Sequence, residues 1–202
     1  MLMRSIGVGL MILVVAAGLG AQQIDYGAVW ETATPFDRFL SSVRSQEAQW
    51  KSRFANAAID ADALTRTRAL KERRRLLVIA EDRCADSAWA VPYIAKLAAA
   101  VPERLEVRII SRDAARDVPK EYRTPSGGLV TPTVIVLDES NNARGGWVER
   151  PSALRIWVAA NKSALSSEEL RAKIQSWYAA DGGQSTVREI VELLEQRLAE
   201  GK

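Results

Sequence analysis

The chain has 202 residues, of which 48% are hydrophobic and 26% charged, and its formal net charge is +3. It contains no histidine and one cysteine, which excludes Ser-His-Asp and Cys-His catalysis, an intramolecular disulfide and the usual zinc sites. The small net charge lacks the basic footprint of a nucleic-acid-binding protein. We therefore expect one globular domain with additions, and neither nucleic acid nor metal as a partner.

The first 21 residues have the pattern of a signal peptide. Arg4 supplies the positive charge, residues 5–24 carry no charge, and the small residues Gly20 and Ala21 follow the apolar run. We predict cleavage of residues 1–21 and a mature protein that is periplasmic or secreted. The alternative is an uncleaved membrane anchor, because an uncharged stretch of this length just spans a bilayer.

Residues 22–70 are predicted to form an N-terminal helical extension. Apolar residues recur at helical spacing around Phe36 to Val43 and again around Trp50 to Phe54. This pattern predicts two or three amphipathic helices whose aromatic side chains belong to the core.

Residues 71–165 alternate between strand-like apolar runs and helical patterns, which predicts an α/β sheet with one antiparallel edge strand. The predicted elements are a strand over Leu76–Ala80, a helix over Ala85–Ala100, a strand over Leu105–Ile110, a helix over Asp113–Tyr122, a strand over Thr133–Leu137, a strand over Gly145–Val148 antiparallel to it, and a helix over Ser152–Ala160.

Residues 166–202 are predicted to form a helical tail that packs on the domain. Two capping-box patterns, Ser166 with Glu169 and Thr186 with Glu189, begin its two helices. A Gly-Gly pair between the two helices is typical of a helix end.

The single cysteine is the candidate reactive group. Cys84 lies between the first core strand and the helix over Ala85–Ala100. The N–H groups and dipole of a helix N-terminus favour thiolate over thiol, as does the charge of Arg83, whereas Asp86 acts in the opposite sense. The thiolate is the nucleophile of disulfide exchange. Position alone is weak support, because a free cysteine is more often a small buried hydrophobe.

The surroundings of this cysteine resemble the thioredoxin family. Residues 84–87 read Cys-Ala-Asp-Ser where the family has its C-x-x-C motif, Pro92 lies eight residues after the cysteine, and Thr131-Pro132 stands where the family has its cis-proline. Further motifs of one bacterial branch follow in order: I-x-x-R-D at 109–113, G-G at 127–128, V-L-D at 136–138 and W-x-x-R-P at 147–151. The resemblance implies a thioredoxin-like fold, a central mixed sheet flanked by helices, with added N-terminal and C-terminal helices.

The resemblance also implies a substrate groove beside the cysteine. Thr131 and Pro132 are expected to flank this groove, and Arg83, Ala85 and Asp86 are expected to contact substrate from the cysteine side. The corner around Arg150 and Pro151 is expected only to fix the path from strand to helix.

The motif departs from the family pattern at its fourth position, where Ser87 replaces the second cysteine. A dithiol enzyme releases its partner when the second thiol attacks the mixed disulfide. Ser87 is expected to hydrogen-bond the Cys84 thiolate, but a hydroxyl cannot resolve a disulfide. Cys84 and Ser87 are thus the candidate catalytic residues, and ordinary thioredoxin turnover is not expected.

Three functions remain open at this point, and none requires a cofactor. The first is monothiol disulfide exchange, in which Cys84 forms a mixed disulfide with a client protein or small thiol and an external thiol resolves it. The second is a non-catalytic module that binds a peptide or protein in the groove. The third is a peroxide sensor in which Cys84 is oxidised to sulfenic acid. It is the weakest of the three, because Glu81 stands where peroxidases of this fold usually have threonine. Whether the protein is an enzyme depends on which of these functions it has. A homodimer linked through a Cys84–Cys84 disulfide also remains open.

Overall fold

The computed structural model describes residues 24–196, so the predicted signal peptide lies outside the described residues. The described chain forms a five-stranded sheet of β1 (Thr34–Pro35), β2 (Arg74–Ile79), β3 (Leu105–Ile110), β4 (Thr133–Leu137) and β5 (Ala143–Val148). The strand order across the sheet is β1-β3-β2-β4-β5. The helices are α1 (Tyr26–Thr32), α2 (Phe36–Ser42), α3 (Glu47–Asn56), α4 (Ala61–Arg68), α5 (Ala85–Ala100), α6 (Ser152–Asn161), α7 (Ser167–Asp181) and α8 (Gln184–Glu195).

Strand β2 occupies the centre of the sheet and explains its mixed character. It pairs in parallel with β3, where Val78 lies opposite Ile109, and antiparallel with β4, where Val78 lies opposite Val134. Strand β5 pairs antiparallel with β4. The predicted α/β class and mixed sheet with flanking helices are confirmed.

The side chains of β2 alternate between two apolar layers, as the period of a strand requires. Leu76 and Val78 pack in the larger layer with α5, α8 and the N-terminal helices, while Leu77 and Ile79 pack in the smaller layer with Trp30 of α1. These four side chains of β2 are fully buried, which accounts for a continuous apolar run where a one-sided strand would alternate with polar residues.

The N-terminal segment contributes to the sheet as well as to the helical layer. Thr34 and Pro35 form β1, a two-residue edge strand antiparallel to β3. An edge position suits proline, which has no N–H to donate to a ladder. Strand β1 is too short to leave a pattern in the sequence and was not anticipated. Across residues 24–196, no helix combines the length and the apolar character that crossing a bilayer requires.

The helix expected over Asp113–Tyr122 is not formed. The chain makes a series of turns there and ends in a short 3₁₀ helix at Lys120–Tyr122. Pro119 lacks an N–H and disfavours helical geometry at the residue before it, so a continuous helix through this segment is interrupted.

One of the two predicted capping boxes is present. The hydroxyl of Ser166 accepts from the N–H of Glu169, and the Glu169 carboxylate accepts from the N–H of Ser166, at the start of α7. The box expected at Thr186 is absent, because α8 begins at Gln184 after a glycine cap. Its expected partner Glu189 binds β5 and α6 instead.

Candidate functional site

Cys84 occupies the N-cap position of α5, at the end of a short loop that leaves the central strand, and its side chain makes no capping hydrogen bond. Its N–H donates to the carbonyl of Glu81 at 3.1 Å, and its own carbonyl accepts from Ala88 at 3.0 Å as the first bond of the helix. The side chain is half-buried and forms no disulfide. The thiol therefore lies at the N-terminus of a 16-residue helix, on a residue that is partly exposed to solvent.

The Thr131–Pro132 peptide bond is cis and lies directly opposite the thiol. The Cys84 Sγ donates to the carbonyl oxygen of Thr131 at 3.1 Å. Pro132 is buried, and its carbonyl accepts from the N–H of Glu149 at 2.8 Å. Within residues 24–196, the N–H of Thr131 has no hydrogen-bond partner.

The loop before the cysteine is anchored to the N-terminal helices through Asp82. Its carboxylate accepts from the backbone N–H groups of Arg44 and Ser45, both at 3.0 Å, and its carbonyl accepts from the indole of Trp50 at 3.0 Å. The hydrogen bonds from Ser45 and Arg44 hold the pKa of Asp82 below its usual range. The N-terminal helices therefore help to place Cys84.

The carboxylate of Asp86 forms a largely buried ion pair with the guanidinium of Arg150. Arg150 donates from Nε at 2.9 Å and from Nη2 at 2.7 Å, one bond to each oxygen of Asp86. The two side chains are only 15% and 14% exposed. Arg150 Nη1 also lies 2.6 Å from an oxygen of Glu149. Asp86 was predicted to contact substrate, and in the structure its carboxylate is paired with Arg150.

The electrostatics of this group reflect its burial. Burial lowers the pKa of Arg150, but the hydrogen bonds and charge of Asp86 outweigh that effect and raise it. Burial raises the pKa of Glu149, and the attraction of Arg150 opposes that rise only in part. Burial also raises the pKa of the Tyr178 hydroxyl, with a further contribution from the charge of Asp86. Asp86, Glu149, Arg150 and Tyr178 thus form one electrostatic group behind Cys84.

Ser87 does not occupy the position expected of a catalytic hydroxyl. Its side chain is fully buried, and its Oγ has no hydrogen-bond partner in the described part of the chain. The expected hydrogen bond to Cys84 is not formed. Ser87 is the third residue of α5, and its side chain points into the core. By contrast, Arg83 is exposed and Ala85 is half-buried on either side of Cys84.

Aromatic residues of the C-terminal tail pack against α5 one turn after the motif. Trp89 stacks on Tyr178 of α7 with 5.6 Å between ring centroids and an angle of 4° between the planes. The Arg53 guanidinium lies 3.4 Å from the Trp89 ring centroid, and Arg53 Nη1 donates to the Ala88 carbonyl. Trp89 therefore joins α3, α5 and α7 beside the site.

Sequence reasoning assigned Arg150 to a structural corner and missed its bond to Asp86. The two residues lie 64 positions apart, and their partnership is visible only once the sheet brings the end of β5 beside the start of α5. No group of three or more Cys, Asp or Glu side chains among residues 24–196 is arranged to hold a metal ion.

The fold and this site define an α/β protein of thioredoxin-like architecture, with a thiol at the start of a helix and a cis-proline opposite. Residues 33–174, more than half of the chain, match the sequence profile of the family described as Thioredoxin. The chain belongs to the thioredoxin family.

Two solved structures share the fold. A protein of unknown function from Pseudomonas aeruginosa has a TM-score of 0.66 and 22% identity, and the match covers 86% of this chain and 98% of that one. An HIV epitope scaffold has a TM-score of 0.63 and 22% identity, with coverage of 85% and 98%. No curated protein matches the chain significantly. At this level of identity, the likeness concerns the fold alone.

Proposed function

We propose that this protein is an exported monothiol disulfide-exchange protein that acts through Cys84 and depends on an external thiol. The observation that carries the proposal is the half-buried sulfur at the start of α5, 3.1 Å from the carbonyl oxygen of the residue before the cis-proline. Export is proposed from the pattern of residues 1–21 and fits disulfide chemistry, because disulfides persist in oxidising compartments.

The reaction proceeds through one mixed disulfide. The Cys84 thiol loses its proton to solvent, and the thiolate attacks one sulfur of a client disulfide, so that a new S–S bond forms while the other client sulfur leaves as a thiolate. A low-molecular-weight thiolate then attacks the client sulfur of the mixed disulfide and releases the Cys84 thiolate. A second external thiol completes the reduction of the client. All of the electrons that reduce the client disulfide come from these external thiols.

The surroundings of the thiol support both steps. The N-terminus of α5 supplies unpaired N–H groups and a positive dipole end that favour the thiolate. Deprotonation breaks the bond from Cys84 Sγ to the Thr131 carbonyl, which leaves both backbone polar groups of Thr131 available. An extended client segment pairs with such groups in the manner of an added strand.

A non-catalytic binding module is the second candidate, and the replacement at Ser87 favours it. Without a second thiol within the motif, the groove is equipped to capture a client but not to release it. The unpaired N–H of Thr131 serves either function, because it binds a peptide strand whether or not a covalent bond follows.

The test compares the wild type with Cys84→Ser in the reduction of a glutathionylated peptide by excess glutathione. We expect the wild type to accelerate deglutathionylation and to yield a glutathione adduct on Cys84 by mass spectrometry, and Cys84→Ser to do neither. Ala99→Ser, at an exposed position near the other end of α5, serves as the control and should keep the wild-type rate. Equal rates for wild type and Cys84→Ser would overturn the proposal, and retained peptide binding by Cys84→Ser would then identify the binding module.

A further inference from the structure

The corner between β5 and α6 holds both sides of the thiol site. Two consecutive residues reach in different directions: the N–H of Glu149 donates to the Pro132 carbonyl at 2.8 Å, and the Arg150 guanidinium binds Asp86 on α5. Cys84 stands two residues before Asp86, and Thr131 directly precedes Pro132. The corner is therefore bonded to each of the two segments whose separation sets the distance from sulfur to carbonyl.

The backbone of this corner is strained at one residue. Glu149 adopts a left-handed backbone conformation with φ of +67°, which is unfavourable for a side chain of its size. That conformation allows its N–H to face Pro132 while the next residue faces α5. Pro151 follows and fixes the entry into α6. The corner is thus built to present two successive groups to two different segments.

The charges of the corner bear on the cysteine as well. Asp86 is the second residue of α5, and an unpaired carboxylate so close to the sulfur would oppose formation of the thiolate. Arg150 balances that charge through two parallel hydrogen bonds in a buried setting, where a planar guanidinium is most effective. The remaining charged or titratable groups facing this pair are Glu149 and Arg155 at the corner and Tyr178 on α7.

We propose that Arg150 is a positioning residue for Cys84. It holds the start of α5 against the cis-proline loop and balances the charge of Asp86, which would otherwise oppose the thiolate. The proposal deepens the proposed exchange function and rests on it, but its effect on the thiol is measurable without any client.

The experiment measures the rate at which iodoacetamide alkylates Cys84 as a function of pH in folded wild type, Arg150→Gln, Asp86→Asn and the double variant. We expect Arg150→Gln to slow alkylation at pH 7 about tenfold and to shift its pH profile upward by about one unit, because it leaves a carboxylate unbalanced beside the sulfur. The double variant should recover most of the wild-type rate, because it removes both charges together while the two amides keep a neutral hydrogen bond between the corner and α5. Arg68→Gln, which removes an exposed charge on α4 that forms no ion pair within residues 24–196, should leave the profile unchanged.

Two results would overturn the proposal: an Arg150→Gln profile identical to wild type, or a double variant as slow as Arg150→Gln. The double variant keeps the test decisive if Arg150→Gln fails to fold, since a buried carboxylate without its partner is the destabilising element. If wild type fails to exchange disulfides while Arg150→Gln still slows alkylation, the proposed function falls and the role of Arg150 stands. If exchange is normal and alkylation is insensitive to Arg150, the role of Arg150 falls alone.

Discussion

The carboxylate of Glu189 on α8 accepts the indole N–H of Trp147 on β5 at 2.7 Å. Its other oxygen accepts from the backbone N–H of Ser152 at 2.7 Å. Ser152 is the first residue of α6, so a side chain from the last helix satisfies one of the N–H groups that the start of α6 leaves unpaired. Glu189 thereby ties the C-terminal tail to the strand and helix that meet at the Glu149–Arg150 corner.

Replacing Glu189 with alanine should destabilise the protein. The change removes three hydrogen bonds to the carboxylate, two of them from Ser152. It leaves the nearly buried Trp147 indole without a partner, which is expected to cost about 1–3 kcal/mol. The free energy of unfolding in urea measures the loss. Glu192→Ala is the matched control, because Glu192 is exposed on the same helix and should change stability little. Equal effects of the two variants would contradict the role of Glu189.

Ser87→Ala should be neutral or stabilising and should leave the reactivity of Cys84 unchanged. The Ser87 hydroxyl is fully buried without a hydrogen-bond partner among the described residues, and removing such a group relieves the cost of its desolvation. Thermal unfolding and the rate of Cys84 alkylation are the measurements. Ser185→Ala is the control, since Ser185 is also buried but donates to Asp181 at 2.6 Å, and its loss should destabilise. A marked fall in Cys84 alkylation in Ser87→Ala would show that the hydroxyl does assist the thiol.

The same position offers a test of what the motif lacks. Ser87→Cys places a second thiol three residues after Cys84 on α5, the spacing of the family motif. On mild oxidation we expect an intramolecular disulfide between positions 84 and 87, and turnover that depends less on the external thiol. Mass spectrometry after alkylation detects the bond through two unmodified cysteines. Ser41→Cys is the control, because Ser41 is exposed on α2; a Ser87→Cys protein that stays fully alkylated would show that position 87 cannot reach the sulfur.

Local sequence patterns predict most of the strands of the sheet but few of the charge interactions around the site. The apolar run at Leu76–Ala80 predicts a strand buried on both faces. The periodic pattern at Ala85–Ala100 predicts a helix with the observed bounds. Both signals depend only on residues that are close together in the sequence. Strand β1 is not predicted, because a strand of two residues is too short to show the alternation of apolar and polar side chains. The direction of the Ser87 side chain and the pairing of Asp86 with Arg150 depend on how α5 is rotated against the sheet, which no local pattern encodes.

Gly183→Ala should destabilise the protein much more than Gly182→Ala. Both glycines have positive φ, +60° at Gly182 and +81° at Gly183, so either substitution strains the backbone by about 1–2 kcal/mol. A Cβ at Gly182 would meet no atom within 4 Å, whereas one at Gly183 would lie 2.2 Å from the ring of Tyr93 on α5. The additional cost at Gly183 therefore reports the close packing of the tail on α5. Urea denaturation compares the variants, and similar losses would show that Tyr93 moves aside freely.

Asp82→Asn should lower stability at neutral pH and flatten its dependence on pH in the acid range. The hydrogen bonds from Ser45 and Arg44 depress the pKa of Asp82, so the native state favours the ionised form more than the unfolded chain does. The resulting stabilisation is fully present above the ordinary pKa of 3.8 and is lost as the pH falls through the lower pKa of the native state. Wild type and Asp82→Asn should therefore differ most at neutral pH and converge in acid.

Urea denaturation at a series of pH values from neutral into the acid range measures this difference. Asp113→Asn is the matched control, because Asp113 is exposed and its carboxylate accepts no hydrogen bond from residues 24–196; it should follow the wild-type curve. If Asp82→Asn also follows the wild-type curve, the carboxylate does not anchor the loop before Cys84. A different result is that only Asp82→Asn loses the dependence of its stability on pH in the acid range and also alkylates faster at Cys84. In that case the Asp82 carboxylate restrains the thiol as well as stabilising the fold.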